Sequence, residues 1–249
     1  MITDTFGDFT ESEYRRLLGL AREGWRFVGF GDWRKEAGQL ILWRHDIDFS
    51  PHRALKLAQI ENEMEVRATY FVLLNSNFYN ALEPPVIGLL KNIRELGHDL
   101  ALHFDPGAHR SGFDCTQDTQ SALELDKRIL ERYCDTKVTA FSYHNPDTVA
   151  GGIADDDHIG GMVNAYGREI RERFSYVSDS NGYWRHRRLR DVLEAREEIK
   201  LHALTHPEWW TSEPMSPRDR VTRCIEGRAK RQHLDYDTFL ERYHRTNVR

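Results

Sequence analysis

Acidic and imidazole side chains recur at four places in the chain, each directly after an apolar run. These places are His45-Asp46-Ile47-Asp48, His103-Phe104-Asp105, His144 and Thr205-His206-Pro207. A catalytic divalent metal needs about three nitrogen or oxygen ligands and an open position for water. A carboxylate beside that water can act as general base, and a histidine opposite can protonate a leaving amine. These residue types therefore indicate metal-dependent hydrolysis of an amide bond.

The elements that must position these side chains alternate between strand-like and helix-like patterns. Runs of apolar, β-branched and aromatic residues predict strands at 39–47, 68–74, 98–103, 137–143, 174–177 and 199–204. Helical spacing predicts helices at 51–64, 84–96, 121–133, 163–173 and 189–196. Repeated βα units imply a parallel sheet, and 249 residues favour a closed or distorted barrel. An open, doubly wound sheet stays as the alternative.

A barrel would bring together the four segments that carry the acidic and imidazole side chains. The carboxyl ends of its strands share one face, where active sites of this architecture are built. Asp46 and Asp48 lie two residues apart, so on a strand both side chains point to the same face. One carboxylate can then serve as a metal ligand and the other as general base.

Composition narrows the class of protein. Hydrophobic residues make up 39% and charged residues 30%, which is typical of a globular chain, and we expect a single catalytic domain over residues 1–249. A helix at about 10–24 and two helices within about 217–244 are expected to pack on the barrel. The net charge of -5 argues against nucleic-acid binding, and no pattern indicates a protein partner.

Three widely spaced cysteines without a CxxC pair, a polar N-terminus and the lack of a long apolar run predict a cytoplasmic protein without a membrane span.

Five stretches of the sequence resemble the polysaccharide deacetylase superfamily. They are WRHDIDFSPHRALKLAQIENEMEVRATYFVLL, ELGHDLALHFD, FSYHNP, YVSDSNGYWR and LTHPEWW, and they occur in the family's order between about residues 9 and 210. More closely, the sequence resembles a bacterial branch whose first motif is RHDxD. The resemblance implies a distorted (β/α)7 barrel and metal-dependent N-deacetylation of a saccharide.

The resemblance also assigns roles residue by residue. Asp46 matches the family's catalytic base and Asp48 its metal-binding aspartate, although the insertion of Ile47 between them leaves the exchanged assignment open. His103 matches the first histidine of the metal motif, and His206 matches the catalytic acid.

The chain departs from the family pattern at the second metal histidine, because Gly107 occupies that position. His144 is the favoured substitute, since a strand end holds a ligand more rigidly than a loop. His109 and Asp105 are the alternatives. The arginine that would orient the base is also missing from its usual place, and Arg44 or Arg185 is expected to replace it.

Trp209, Trp210, Arg185 and Asp179 are predicted to contact the substrate. A flat indole suits the apolar face of a sugar ring, with core packing as the alternative for both tryptophans. Arg185 belongs to a basic cluster with Arg187, Arg188 and Arg190. Such clusters usually form a solvated surface. The more specific hypothesis is that these arginines bind an anionic group on the substrate.

The leading hypothesis is a hydrolase that removes an acyl group, most simply acetyl, from an amino sugar or a surface-glycan precursor of the O-antigen or capsule type. One divalent metal ion is expected, with zinc favoured by the His/Asp ligand types. Two rivals remain, a small-molecule amidohydrolase that uses the same site and a glycan-binding pseudoenzyme. The second gains if neither His109 nor His144 reaches the pair Asp48–His103.

Overall fold

Strands and helices alternate along most of the part of the chain that the computed structural model describes, residues 6–109, 116–148 and 152–248. The strands are β1 (Arg26–Phe27), β2 (Leu40–Ile47), β3 (Thr69–Leu73), β4 (Asp99–Phe104), β5 (Ala140–Tyr143), β6 (His158–Ile159), β7 (Met162–Asn164), β8 (Ser175–Ser178) and β9 (Lys200–Thr205). The helices are α1 (Glu11–Gly24), α2 (Pro51–Glu63), α3 (Pro84–Glu95), α4 (Thr116–Cys134), α5 (Arg168–Arg173), α6 (Leu189–Ala195) and α7 (Pro217–Arg242).

Seven of the strands form a parallel sheet in the order β7-β5-β4-β3-β2-β9-β8. The first long strand, β2, lies beside the last, β9, so the sheet curls back on itself as a barrel requires. Among the described residues, β7 and β8 are not paired with each other, and the antiparallel strand β6 extends the β7 edge. The predicted distorted (β/α)7 barrel is confirmed, and among the described residues the two sheet edges that do not pair with each other are β6 and β8.

Strand β2 separates two cores. Leu40 and Leu42 point into the barrel with Phe71, whereas Ile41 and Trp43 point outward to the helices. The inward apolar side chains come from the beginnings of the strands. Farther along β2 the inward positions are polar, so the barrel interior changes from an apolar floor to a polar mouth at the carboxyl ends of the strands.

The turn after β2 fixes where the mouth begins. The hydroxyl of Ser50 accepts a hydrogen bond from the backbone N–H of Arg53 at 3.3 Å and thereby caps α2. Pro51 occupies the first turn of the helix, where its lack of an N–H costs nothing. Strand β2 therefore ends at Ile47, and Asp48 lies directly beyond it at the mouth.

Two sequence predictions of secondary structure were wrong. The helix predicted at 163–173 is a short strand, β7, followed by α5. The Asn164 amide ends the strand by donating to the carbonyls of Ala154 and Asp156, both at 3.0 Å, while its oxygen accepts from the N–H of Tyr166 at 2.9 Å. The two predicted C-terminal helices form one continuous helix, α7, because residues 232–235 contain neither glycine nor proline.

Cys134 and Cys224 are free thiols, and Cys115 lies outside the described residues. Within the described ranges, none of the helices combines the length and apolar character needed to cross a bilayer.

Candidate active site

Five of the predicted site residues meet at the mouth of the barrel. Asp46 is on β2 and Asp48 directly follows it, His103 is on β4, and His144 and His206 come directly after β5 and β9. Parallel neighbours in the sheet bring these strand ends to one edge, as the sequence predicted. Residues 160 positions apart (206 minus 46) thus approach one another.

Asp48, His103 and His144 form a group that can hold a metal ion, with one ligand atom from each lying within 4.8 Å of the others. Asp48 Oδ1 lies 3.3 Å from His103 Nε2 and 3.7 Å from His144 Nδ1, and the two imidazole nitrogens lie 3.2 Å apart. Ligands on a tetrahedral zinc ion at about 2.0–2.2 Å are roughly 3.3–3.6 Å apart. Asp48 Oδ1 is also buried without a hydrogen-bond partner. The three side chains therefore fit a divalent metal.

The structure does not bring His109 or Asp105 into this group. His109 Nε2 bonds the Asp126 carboxylate at 2.9 Å, and its ring stacks on Phe104. Asp105 accepts hydrogen bonds from the N–H of Gly107 at 2.7 Å and from the Asn75 amide at 3.3 Å. Of the alternatives for the third ligand, the geometry favours His144.

Neighbouring side chains orient the two imidazoles. Ser142 Oγ lies 2.8 Å from His103 Nδ1, and this contact leaves His103 Nε2 directed at the aspartates. The amide of Asn145 lies 2.8 Å from His144 Nε2, so Nδ1 of that ring faces the group. A hydrogen bond at the far nitrogen of a ligand histidine fixes its tautomer and orientation.

Arg44 clamps Asp46 from the same face of β2. Its Nε and Nη2 donate to the two carboxylate oxygens at 2.8 and 2.6 Å, and both side chains are buried. Burial alone would raise the pKa of Asp46, but the charges of Arg44 and His103 and the Arg44 hydrogen bonds outweigh it and hold the pKa below its ordinary value. Asp46 is therefore an anion. Of the two arginines expected beside this carboxylate, the structure places Arg44 in contact with Asp46.

His206 lies opposite, with its Nε2 3.8 Å from Asp48 Oδ2. Its Nδ1 bonds Asp179 at 2.7 Å, and the same carboxylate accepts the His206 backbone N–H and the Trp210 indole N–H. Burial would lower the pKa of His206, but the hydrogen bond and charge of Asp179, together with Asp48, raise it to about 10. The imidazole is therefore protonated near neutral pH and can act as an acid.

A cleft of about 700 Å³ opens over this group. Its lining carries amides, hydroxyls and aromatic rings, among them Asn75, Asn77, Tyr166, Tyr176, Ser178, Asn181, Arg185 and Trp209. The volume lies within the range of about 300–1,000 Å³ that is usual for small-molecule sites. Polar lining groups of this kind suit the hydroxyls of a sugar.

The structure corrects several predicted substrate contacts. Trp210 is fully buried against Phe9 and Tyr14, and Asp179 is fully buried beneath His206, so neither can touch a ligand in the cleft. Trp209 and Arg185 do line the cleft. The other arginines of the basic cluster have carboxylate partners: Arg187 pairs with Glu198, Arg188 with Asp8 and Arg190 with Glu13.

Sequence reasoning missed Ser142 and the role of Tyr166. Ser142 lies two residues before His144, so strand alternation places both on the inward face. Tyr166 packs its ring against the Arg44 guanidinium, 4.9 Å from its centroid, opposite Phe71 at the same distance. The period-two pattern could have identified Ser142. No local signal identifies Tyr166, which contacts Arg44 across 122 residues.

Neither a protein-family model nor a curated protein matches the sequence. Solved structures do match. A CE4 family pseudoenzyme from Bacillus anthracis has 14% identity and a TM-score of 0.43, over 78% of this chain and 61% of that chain. This chain therefore spans less than two thirds of the pseudoenzyme. The likeness is distant and concerns the fold alone.

Two deacetylases match over more of their own length. The Streptococcus pyogenes deacetylase PplD, solved with acetate, has 14% identity and a TM-score of 0.42, over 85% of each chain. The catalytic domain of a peptidoglycan N-acetylglucosamine deacetylase from Eubacterium rectale has 13% identity and a TM-score of 0.45, over 78% of this chain and 86% of that chain.

Proposed function

We propose that this protein is a metal-dependent N-deacetylase of the polysaccharide deacetylase superfamily that acts on an amino sugar. The observation that carries the proposal is the placement of Asp46 and His206 beside the group Asp48–His103–His144. A buried carboxylate and a protonated imidazole beside three potential metal ligands form the set that amide hydrolysis requires.

Two imidazoles and one carboxylate with an open side suit a catalytic zinc ion, which we propose as the cofactor. When bound, the metal supplies Lewis-acid polarisation of the acyl carbonyl and lowers the pKa of a coordinated water. Asp48, His103 and His144 would hold it. The cleft above Asp48 and His144 leaves the open side to water and substrate.

Two residues of the chain carry out the two proton transfers. Asp46, held by Arg44, accepts the proton of the attacking water as a C–O bond forms at the acyl carbon. His206 then donates its Nε2 proton to the amide nitrogen as the C–N bond breaks, which releases acetate and a free amine. Asp179 holds His206 in the protonated form with Nε2 directed at the cleft.

The cleft supports a saccharide substrate. Asn75, Asn77 and Ser178 offer hydrogen-bonding groups along its lining, and Tyr176 offers an aromatic ring for the apolar face of a pyranose. Trp209 also reaches the lining, but it is only 5% exposed and packs on Phe49. Tyr176 is 42% exposed, so its ring is accessible to a ligand. We propose an N-acetylated surface-glycan precursor as the substrate, in preference to a small non-sugar amide.

Acetate release from N-acetylated sugars tests the proposal. Purified protein with added Zn²⁺ is incubated with UDP-N-acetylglucosamine, chitooligosaccharides and a cyclic amide, and acetate is quantified enzymatically. We expect release from a sugar that is lowered at least about 100-fold by Asp46→Asn and preserved by Glu63→Gln, a surface carboxylate on α2 outside the cleft. Release from the cyclic amide alone would favour the small-molecule amidohydrolase. Sugar binding without release from any substrate would favour the pseudoenzyme.

A further inference from the structure

A second cavity lies behind the catalytic cleft, between the start of α2 and the first half of α7. Its volume is about 240 Å³, below the range of about 300–1,000 Å³ usual for drug-sized ligands, so it suits a compact group. Phe49 and Phe78 line both cavities, and their rings meet edge to face at 4.1 Å between centroids. This aromatic pair separates the second cavity, which we term the arginine pocket, from the cleft.

Five arginines line the arginine pocket: Arg53, Arg220, Arg223, Arg228 and Arg231. Four of them recur along one face of α7 at spacings of three to five residues. Glu208 is the one carboxylate on the lining within the described residues. Guanidinium groups present planar forks of donors that match the oxygens of phosphate and carboxylate groups.

Carboxylates outside the lining offset some of this charge. Arg53 pairs with Glu11 at 2.8 Å and Arg231 with Asp235 at 2.9 Å, and Glu83 contacts Arg228.

Among residues 6–109, 116–148 and 152–248, no carboxylate lies within 4.0 Å of the guanidinium of Arg220 or of Arg223. The pocket therefore carries an excess of positive charge.

Arg220 is the strongest indication of a ligand. It is only 1% exposed, and its Nη1 is buried without a hydrogen-bond partner. Its Nε and Nη2 make only long contacts of 3.5 Å, to the Thr211 hydroxyl and the Phe6 carbonyl. A buried guanidinium left this incompletely paired is costly unless another group supplies acceptors.

The amino end of α2 adds to the same field. Ser50, Pro51 and His52 line the pocket at the first turn of a 13-residue helix, where the helix dipole contributes partial positive charge. Pro51 has no N–H and the Arg53 N–H is bonded to the Ser50 hydroxyl, so this contribution comes mainly from the dipole. Burial lowers the pKa of the His52 imidazole, and the nearby Arg231 and Arg228 lower it further. The charges of these two arginines therefore disfavour an additional cation beside them.

We propose that the arginine pocket binds a phosphoryl group. A phosphate dianion matches the two guanidiniums that lack carboxylate partners, and its oxygens can accept from Arg220 Nη1 and from the α2 amino end. The group can come from free inorganic phosphate or from a phosphorylated substrate that reaches past Phe49 and Phe78, and the second source rests on the proposed function.

Isothermal titration of the full chain with inorganic phosphate in a low-salt chloride buffer tests the proposal. We expect one equivalent to bind, and the double variant Arg223→Gln/Arg231→Gln to bind at least about tenfold more weakly, since hydrogen bonds to charged groups contribute strongly to affinity. The matched control is Arg218→Gln/Lys230→Gln, which removes two exposed cations from the same helix outside the pocket. The control should change the affinity less than twofold.

The metal group supplies a second control, because phosphate is also a metal ligand. His103→Ala should bind phosphate as the wild type does. Loss of binding in this variant, equal weakening in both double variants, or no binding by the wild type would overturn the proposal.

Titration with UDP-N-acetylglucosamine distinguishes the sources of the phosphoryl group. Affinity at least tenfold above that of inorganic phosphate, weakened by both Arg223→Gln/Arg231→Gln and Tyr176→Ala, would show a substrate-borne phosphate. Affinity no higher than that of inorganic phosphate would show a free-phosphate site. Because binding is measured without turnover, an inactive protein could still satisfy the test.

Discussion

The two faces of β2 both carry buried charge, and they differ in how completely that charge is paired. On the outer face, Glu61 of α2 accepts hydrogen bonds from the hydroxyls of Tyr14 and Tyr70 and pairs with His45 Nε2 at 2.6 Å. His45 Nδ1 is in turn bonded to the Thr205 hydroxyl at 2.7 Å. None of these side chains has a buried polar atom left without a partner.

On the inner face, pairing is incomplete. Arg44 Nη1 and Asp48 Oδ1 are buried without hydrogen-bond partners, although Arg44 and Asp46 are tightly joined. Burying polar groups without partners is unfavourable, and a group left in this way is explained by a bound ion, an ordered water or a catalytic role. The comparison teaches that the outer pair His45–Glu61 is complete within the protein, whereas the inner face leaves Asp48 Oδ1 as an acceptor that a metal ion can complete.

The largest expected effect is on catalysis at the inner face. Asp46→Asn should lower kcat/KM by about 10²–10⁴-fold, because the general base is lost while the shape of the side chain is kept. Acetate release is expressed per folded molecule, because the variant also leaves the buried Arg44 guanidinium without its carboxylate and should lower the unfolding midpoint. A rate per folded molecule close to that of the wild type would place Asp46 with the structural face instead.

The outer face should show the opposite pattern. Glu61→Ala leaves two buried tyrosine hydroxyls and His45 without their carboxylate and should lower the free energy of unfolding by about 3–5 kcal/mol. Activity per folded molecule should stay near the wild-type value. Glu63→Ala, at the exposed end of the same helix, removes only a surface ion pair with Arg15 and should cost less than about 1 kcal/mol. Urea titration of both variants measures the difference.

The pH dependence of kcat in Asp179→Asn gives a further test of the catalytic role proposed for the inner face. The acid must be protonated to work, so activity falls as pH rises through the pKa of His206, which Asp179 raises to about 10. Removing that charge lowers this pKa, so the basic limb of the kcat profile should move to lower pH, with kcat reduced about 10–100-fold. An unchanged basic limb would mean that His206 is not the acid.

The smallest effect is expected at Ser142. Ser142→Ala removes the hydroxyl that orients His103 and should weaken metal binding about tenfold, measured by competition with a chelator. Ser178→Ala, whose hydroxyl bonds Ser180 on the cleft wall, should leave metal affinity unchanged. Equal losses in both would argue against a specific role for Ser142.

Much of the fold could be predicted from the sequence because its βα units are long and periodic. β2 and α2 were predicted to within one residue at each end, since Pro51 and the apolar run before it are strong local signals. β7 was missed because it has only three residues and ends where the Asn164 side chain hydrogen-bonds to the backbone carbonyls of Ala154 and Asp156. The single-domain organisation over residues 1–249 stays a proposal.

The site could be predicted in part for the same reason. Residues at strand ends, such as His103 and His206, follow from topology once a barrel is assumed. Burial does not follow from local pattern, so Trp210 and Asp179 were assigned to substrate although both support His206 from below. The arginine pocket depends on where α7 packs against α2, which no local pattern reports.

Metal content compared between two histidine variants tests the central claim most directly. Protein purified without a His-tag or chelator is analysed for bound metal as the wild type, His144→Ala and His109→Ala, with circular dichroism to confirm folding. The inner-face site predicts about one equivalent of a divalent metal in the wild type and in His109→Ala, and its loss in His144→Ala. A wild type that neither contains nor takes up metal, or a loss in His109→Ala with retention in His144→Ala, would contradict the account.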